Sequence, residues 1–288
     1  WFEQTARNNW FWGNALNPLD TRTLSKKFAG WREFSGRKSF CSGSADSEML
    51  IASALDESTR GKLLIAAIPS HRTGITLHGD WDNIGQRQTD SGSATFERVR
   101  VEENELLLDP GPLSTPFACL RPLIAQLTFV NIFLGIAEGA FEEARNYTLK
   151  EARPWFKANV SQANQDPYVL RHYGEFWVGL EGVRLLTERA NALLDKAWSK
   201  EQRLGAEERG QLALAIATAK VAATRTGLDL TSSLFEVTGA RATHAALRLD
   251  RHWRNLRTQT LHDPVDYKLH ELGDWALNSA LPTPSFYS

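Results

Sequence analysis

The segment DPGPLSTP, Asp109 to Pro116, divides the chain into two textures. Before it, short apolar runs alternate with turn signals. MLIASAL (Met49 to Leu55) and GKLLIAAIP (Gly61 to Pro69) read as a pair of strands joined by the polar stretch 56–60. GITLHGDW (74–81) and SATFERVRV (93–101) alternate with period two, punctuated by Gly74, Gly79 and Gly92. After the segment the period becomes 3.6. Phe117 to about Arg153 sets Leu123, Leu127, Val130, Phe133, Leu134 and Ala137 on one stripe. Pro167 to Trp198 is a second amphipathic stretch, and Ala206 to Val237 a third, with Gly239 placed as its C-cap. A shorter fourth spans about Ala242 to Leu256. The fold class is therefore α+β, an antiparallel β domain over 10–113 followed by an antiparallel helix bundle over 114–288.

Composition narrows the function. The 288 residues carry a net charge of −1 and are 42% hydrophobic, enough for one large core or two smaller ones. A charge so close to zero argues against a nucleic-acid or anionic-lipid surface. Two cysteines, Cys41 and Cys119, form no CxxC pair, so no metal site is expected and a reducing, cytoplasmic setting fits. Leu120 to Ala140 is the nearest approach to a membrane span, but Arg121, Gln126, Asn131 and Glu138 interrupt it, so no membrane partner is expected. Ten tryptophans leave room for an aromatic pocket around a flat ligand. GxGxxG, Walker A, GxSxG and HExxH signatures are absent; HELGD at His270 lacks the second histidine.

Four polar stretches remain. FWGNALNP (11–18) puts Asn14 and Asn17 at a strand entering a turn, although Asn-Pro is equally a turn dipeptide. GRKSFCSGSADSEML (36–50) offers small hydroxyl residues, or simply a polar hairpin loop. DWDNIGQRQTDSGS (80–93) begins with Trp81, a stacking ring or a core residue. RNLRTQTLHDP (254–264) sets His262 and Asp263 before a proline.

These stretches, in order, resemble the acyl-CoA dehydrogenase fold family. GRKSFCSGSADSEML is similar to its G-x-K-x-[WYF]-I-[TS]-N-[GA]…A-D segment, and NIGQRQTDSGSATFERVRV to its G-x-R-x-S-x-[ST]…F-x-x-V-x-V segment. ALNP stands at its A-L-T-E-P turn, ARPW near R-x-x-F-G, and EVTGARAT at Q-x-x-G-G-x-G. The resemblance implies a family N-terminal helical domain before Trp1, of which residues 1–9 would be the end. It also implies a β-barrel for 10–113. The family's dehydrogenases carry a catalytic glutamate where this chain has Asp263, one methylene shorter and followed by Pro264. T-x-T-L-H-D-P instead resembles the flavin-dependent monooxygenase branch typified by dibenzothiophene monooxygenases.

That branch implies reduced FMN, with FAD the alternative, supplied by a separate NAD(P)H:flavin reductase. It also implies O2, a C4a-hydroperoxyflavin, and an organosulfur or related aromatic substrate in a desulfurization chemistry. His262 would contact the distal peroxide oxygen, Ser42 would bond near flavin N5, and Asp263 would orient the imidazole. Asn14, Asn17, Trp81 and Gln259 would line the cofactor. Arg153 and Arg241 would hold its phosphate, one of them from a neighbouring chain. A homotetramer is expected from the long, strongly apolar helix Phe117 to Tyr147, too apolar to face water on its outer side. For Arg153 a surface ion pair with Glu142, Glu143 or Glu151 is the plainer reading. An acyl-CoA dehydrogenase or oxidase with Asp263 as base, and a flavin-less scaffold, are the rival readings.

Overall fold

A computed structural model describes residues 1–59 and 61–288. Arg60, which ends the predicted strand connection, lies outside the described residues. The chain forms two compact units, Trp1–Pro112 and Leu113–Ser288.

The first unit opens with helix α1 (Phe2–Asn8) and holds seven strands: β1 (Trp12–Ala15), β2 (Leu24–Lys27), β3 (Trp31–Lys38), β4 (Met49–Asp56), β5 (Lys62–Pro69), β6 (Ile75–Leu77) and β7 (Ala94–Glu102). The expected strand pair is β4 and β5, antiparallel from Met49↔Pro69 to Asp56↔Lys62. β4 is buried on both faces, which explains its nearly unbroken apolar run.

Two expectations need correction. The sheet is mixed, because β1 and β2 both run parallel to β4. Reading neighbours in sequence as neighbours in space missed this: parallel pairing needs a long crossover, and here the β2–β3 hairpin lies between β1 and β4. Strand pairing also runs in the order β1-β4-β2-β3-β7-β6, with β5 pairing with β4 off that path, so no pairing among the described residues closes the expected barrel. Gly36 marks a bulge in β3, with φ at +139°. A Cβ there would lie 2.1 Å from the Arg22 carbonyl oxygen, so no larger residue fits. Phe34, Leu50, Ile68, Phe96 and Val99 form the sheet's core.

The second unit is a bundle of α2 (Leu120–Lys150), α3 (Pro167–Trp198), α4 (Ala206–Thr238), α5 (Asp250–Thr260) and α6 (Val265–Asn278). Asp166 caps α3 by accepting from the Tyr168 backbone N–H, and Pro167 sits in the first turn, where its missing donor costs nothing. Gly239 ends α4 with φ at +76°. α4 is the central helix. Its alanines 213, 215, 217, 219 and 223 are buried, and Gly227 lets Leu256 of α5 approach, since a Cβ would lie 2.7 Å from Leu256 Cδ2.

Three further readings change here. The fourth helix does not run from Ala242; two 3-10 turns precede α5, and Arg248 in the left-handed region (φ +52°) separates them from it. α6 was not expected at all. α2 is long and apolar enough to cross a membrane by length and composition, contrary to the sequence reading. Its stripe of Leu120, Leu123, Leu127, Val130 and Phe133 is buried in the bundle core, the other arrangement in which such a helix is stable.

Candidate functional site

In the first unit, two loops and the strand β1 assemble a polar cluster. The turn after β3 and the loop from β6 to β7 are stitched together by backbone bonds, Cys41 N–H to the Gly92 carbonyl (2.8 Å) and Gly43 N–H to the Thr89 carbonyl (2.9 Å). Gly92 permits this closeness, because a Cβ there would lie 2.4 Å from the His78 carbonyl oxygen. A chain of hydroxyls follows. Exposed Ser42 Oγ meets buried Ser91 Oγ at 2.7 Å, and Ser91 meets Thr89 Oγ1 at 2.7 Å. Thr89 then donates to the Gln86 carbonyl, which also accepts from Trp81 Nε1 at 2.8 Å.

Ser42 and Trp81 are thus tied into one network. Trp81 is half-buried, edge-on to exposed Phe40 with ring centroids 6.2 Å apart, and takes no part in the sheet core. Asn14 joins them, its backbone N–H donating to the Ser42 carbonyl at 3.0 Å while its side chain accepts from Leu16 N–H. Asn17 does not join them. Its side chain donates to the Ser39 carbonyl, and its own carbonyl, with that of Asp20, accepts from buried Lys38. This is turn chemistry. Burial pushes Lys38 down to about 8, a cost that its two carbonyl partners offset.

In the second unit, the His-Asp pair lies in the turn between α5 and α6. The backbone N–H of His262 donates to the Gln259 carbonyl, which also accepts from the Leu261 N–H, closing the end of α5. His262 Nδ1 lies 3.0 Å from Asp263 Oδ1. Asp263 is buried, and two residues that the sequence reading missed reach the same oxygen: Lys220 Nζ from α4 at 2.5 Å and Gln126 Nε2 from α2 at 3.4 Å. Gln126 Oε1 accepts from Lys220 at 2.5 Å. Rings flank the imidazole, Phe129 at 4.5 Å and Tyr287 at 5.7 Å between centroids.

Burial alone would raise the Asp263 carboxyl, but the His262 hydrogen bond and the Lys220 ammonium hold it down at about 2. An ionised carboxylate only accepts, so Nδ1 of His262 carries the hydrogen and donates it. The neutral imidazole therefore offers Nε2 as an acceptor; it donates there only when protonated. This refines the expectation of a simple donor. It also weighs against the dehydrogenase assignment, because a carboxyl held down at about 2 and shared among three donors is a poor proton acceptor at neutral pH.

Arg153 and Arg241 lie elsewhere in the second unit. Exposed Arg241 donates to the Glu151 carbonyl at 2.9 Å, two residues before exposed Arg153. The plainer reading of Arg153 is not met: Glu142 pairs with Arg145, Glu143 with Arg251 and His252, and Arg153 forms no ion pair among the described residues. Both arginines lie beyond the C-terminal ends of α2 and α4, whereas Gln126 and Lys220 lie about 30 Å away along those helices at 1.5 Å per residue.

Each unit taken by itself carries donors of the kind that line a flavin: in the first, a hydroxyl chain ending at exposed Ser42 with an indole in the same network; in the second, an imidazole fixed through Nδ1, and guanidinium groups of the kind that grip a phosphate. Comparisons with known proteins agree. Residues 127–267 match the acyl-CoA dehydrogenase C-terminal domain family. The whole chain is 78% identical to a probable FMNH2-dependent monooxygenase, SfnC, of Pseudomonas putida, covering 73% of that protein. It is 42% identical to a dibenzothiophene monooxygenase of Rhodococcus qingshengii, again over the whole chain and 72% of the relative. The solved structure of methanesulfinate monooxygenase MsuC from Pseudomonas fluorescens superimposes with a TM-score of 0.98 at 80% identity, covering all of this chain and 74% of that one. The chain belongs to the acyl-CoA dehydrogenase fold family, in its FMNH2-dependent monooxygenase branch.

Proposed function

We propose that the protein is the oxygenase of a two-component system, taking reduced FMN from a separate NAD(P)H:flavin reductase and using O2 to oxygenate a small organosulfur compound. A sulfinate is the first substrate to test, since the MsuC likeness extends over the whole chain. Its sulfur is a soft nucleophile with a lone pair available for oxygen. One oxygen atom would enter the sulfinate to give the sulfonate and the other would leave as water, with reduced FMN supplying the two electrons and the protons. The observation that carries the reading is His262, fixed through Nδ1 with Nε2 left to exchange a proton. Ser42 would hold the polar edge of the isoalloxazine through its hydroxyl chain, and Trp81 would cover part of the ring. The decisive experiment supplies methanesulfinate, reduced FMN and 18O2. One labelled oxygen in the sulfonate is expected; unlabelled product, or none, would sink the reading.

Trp81→Ala is expected to weaken FMN binding roughly fivefold, from about 1 kcal/mol of lost ring contact. Fluorescence titration checks it, and an unchanged affinity with only a lower melting temperature returns Trp81 to a packing role.

The working unit is a cytoplasmic homotetramer. Both cysteines are buried free thiols, in keeping with a reducing compartment. Leu170, Trp177, Val178 and Leu185 of α3 are exposed and recur at helical spacing, an apolar stripe that a second copy could cover. A second copy would also bring Arg153 and Arg241 to a cofactor held near His262 of the first. Light scattering is expected to return four times the protomer mass, and a monomeric mass would overturn this assignment.

A further inference from the structure

We infer that Lys220 is a positioning residue for the oxygenation, acting through Asp263: its ammonium clamps and neutralises the carboxylate, so that His262 is oriented without being driven into its protonated form. The inference rests on the reading of His262 given above.

The geometry is specific. Lys220 Nζ emerges from the middle of α4, its side chain 2% exposed, and its hydrogen-bond partners are Asp263 Oδ1 and Gln126 Oε1. The Phe129 ring, 5.8 Å from Nζ, walls it on another side, and Phe129 also packs on His262. Gln126 bridges the pair, donating to Asp263 while accepting from Lys220. Stability alone is a weak reason for this arrangement. Desolvating two charges offsets most of their attraction, and well-packed apolar residues commonly do as well. What an apolar pair would not do is present a charged, fixed acceptor to Nδ1 of His262.

Charge balance gives the second half of the argument. Asp263 with Lys220 is neutral as a unit. The imidazole beside them donates to a carboxylate whose charge is already matched, so the hydrogen bond sets the tautomer and ring direction without demanding a proton on Nε2. Remove the ammonium and only an imidazolium can match that carboxylate. The other charged or titratable groups facing the cluster are Lys268 and Glu271 of α6, which are paired with each other, and Tyr287 of the C-terminal segment. None of them touches Asp263.

The test has two arms. In the first, 15N-histidine NMR of the full chain, with the His262 signal assigned through His262→Gln, reads the tautomer without flavin. The parent protein is expected to carry hydrogen on Nδ1 and none on Nε2 at neutral pH; hydrogen on Nε2 instead overturns the proposal, whatever the variants do. In the second, product formed per reduced FMN oxidised is followed against pH in the parent, Lys220→Met, Asp263→Asn and the double variant. Lys220→Met should move the acid limb upward by about one pH unit, the usual effect of unmasking an adjacent carboxylate. That shift should vanish in the Asp263→Asn background, because Lys220 would then have nothing to act through. A shift that persists there, or an acid limb unmoved in Lys220→Met, rejects the proposal. Should Lys220→Met fail to fold, the tautomer arm still decides. Should the chain not oxygenate sulfur compounds, the functional reading falls while the tautomer arm still tests the clamp.

Discussion

His262→Ala is expected to leave FMN affinity within about twofold of the parent while cutting product per reduced FMN oxidised by about two to three orders of magnitude. Loss of a positioned hydrogen-bonding group at a developing charge costs on the order of 2–4 kcal/mol where bound cofactor and substrate exclude water, and each 1.36 kcal/mol is tenfold in rate. The imidazole can be removed without opening the core, because its side chain is 41% exposed. Its neighbours Phe129 and Tyr287 remain to cover the space. Reduced flavin should still be consumed, with hydrogen peroxide replacing oxygenated product. Asp263→Asn should show a milder form of the same defect, since an amide oxygen can still accept from Nδ1. Peroxide and product are measured together in one assay. If His262→Ala retains tight coupling, the histidine does not handle the proton. If Asp263→Asn is the more damaging variant, the carboxylate and not the imidazole has the leading role.

The parts of this arrangement that were legible in sequence are those whose signal is local. α3 was readable from end to end because Asp166, Pro167 and an apolar stripe all lie within one window. The His262–Asp263 pair was readable because its residues are adjacent and stand in a recognisable motif. Lys220 was not. It sits in TAKVAA, between residues that any periodicity argument sends to the core, and a lone lysine there reads as a solvated position. Its partners lie 94 residues earlier and 43 later, so only the fold brings them together. α6 failed for the opposite reason: its one buried residue is Lys268, so it has no apolar stripe to reveal it. Pro264 ahead of Val265 and Asp266 in the first turn were the available signals. The parallel pairing of β1 and β2 with β4 is likewise a tertiary fact, decided by a crossover that no strand's own sequence records.

Asp263→Ala is expected to destabilise the helical unit by about 3–5 kcal/mol, because it leaves the Lys220 ammonium buried with a glutamine oxygen as its remaining hydrogen-bond partner. The double variant Lys220→Met/Asp263→Asn should recover much of that loss, since it removes the buried charges together. The pH dependence follows from the direction of the Asp263 shift. Its folded value, about 2, lies below its ordinary 3.8, so its stabilising contribution is complete above about pH 4 and is lost as pH falls through 2. The gap between parent and Asp263→Ala should therefore be widest at neutral pH and narrow between pH 4 and 2. Asp20 and Asp56 are also held below the usual carboxylate range, Asp20 first by its Arg22 hydrogen bond, and Asp56 by its Ser58 and Arg32 bonds against the effect of burial. Both lie in the first unit and are common to the two proteins, so their contributions cancel in the difference. Denaturant titrations of both proteins at neutral pH and at several points down to pH 2 read that gap directly. A gap that stays constant through the acid range would mean that the Lys220–Asp263 pair does not carry the stability, and that Asp263→Ala acts through packing alone.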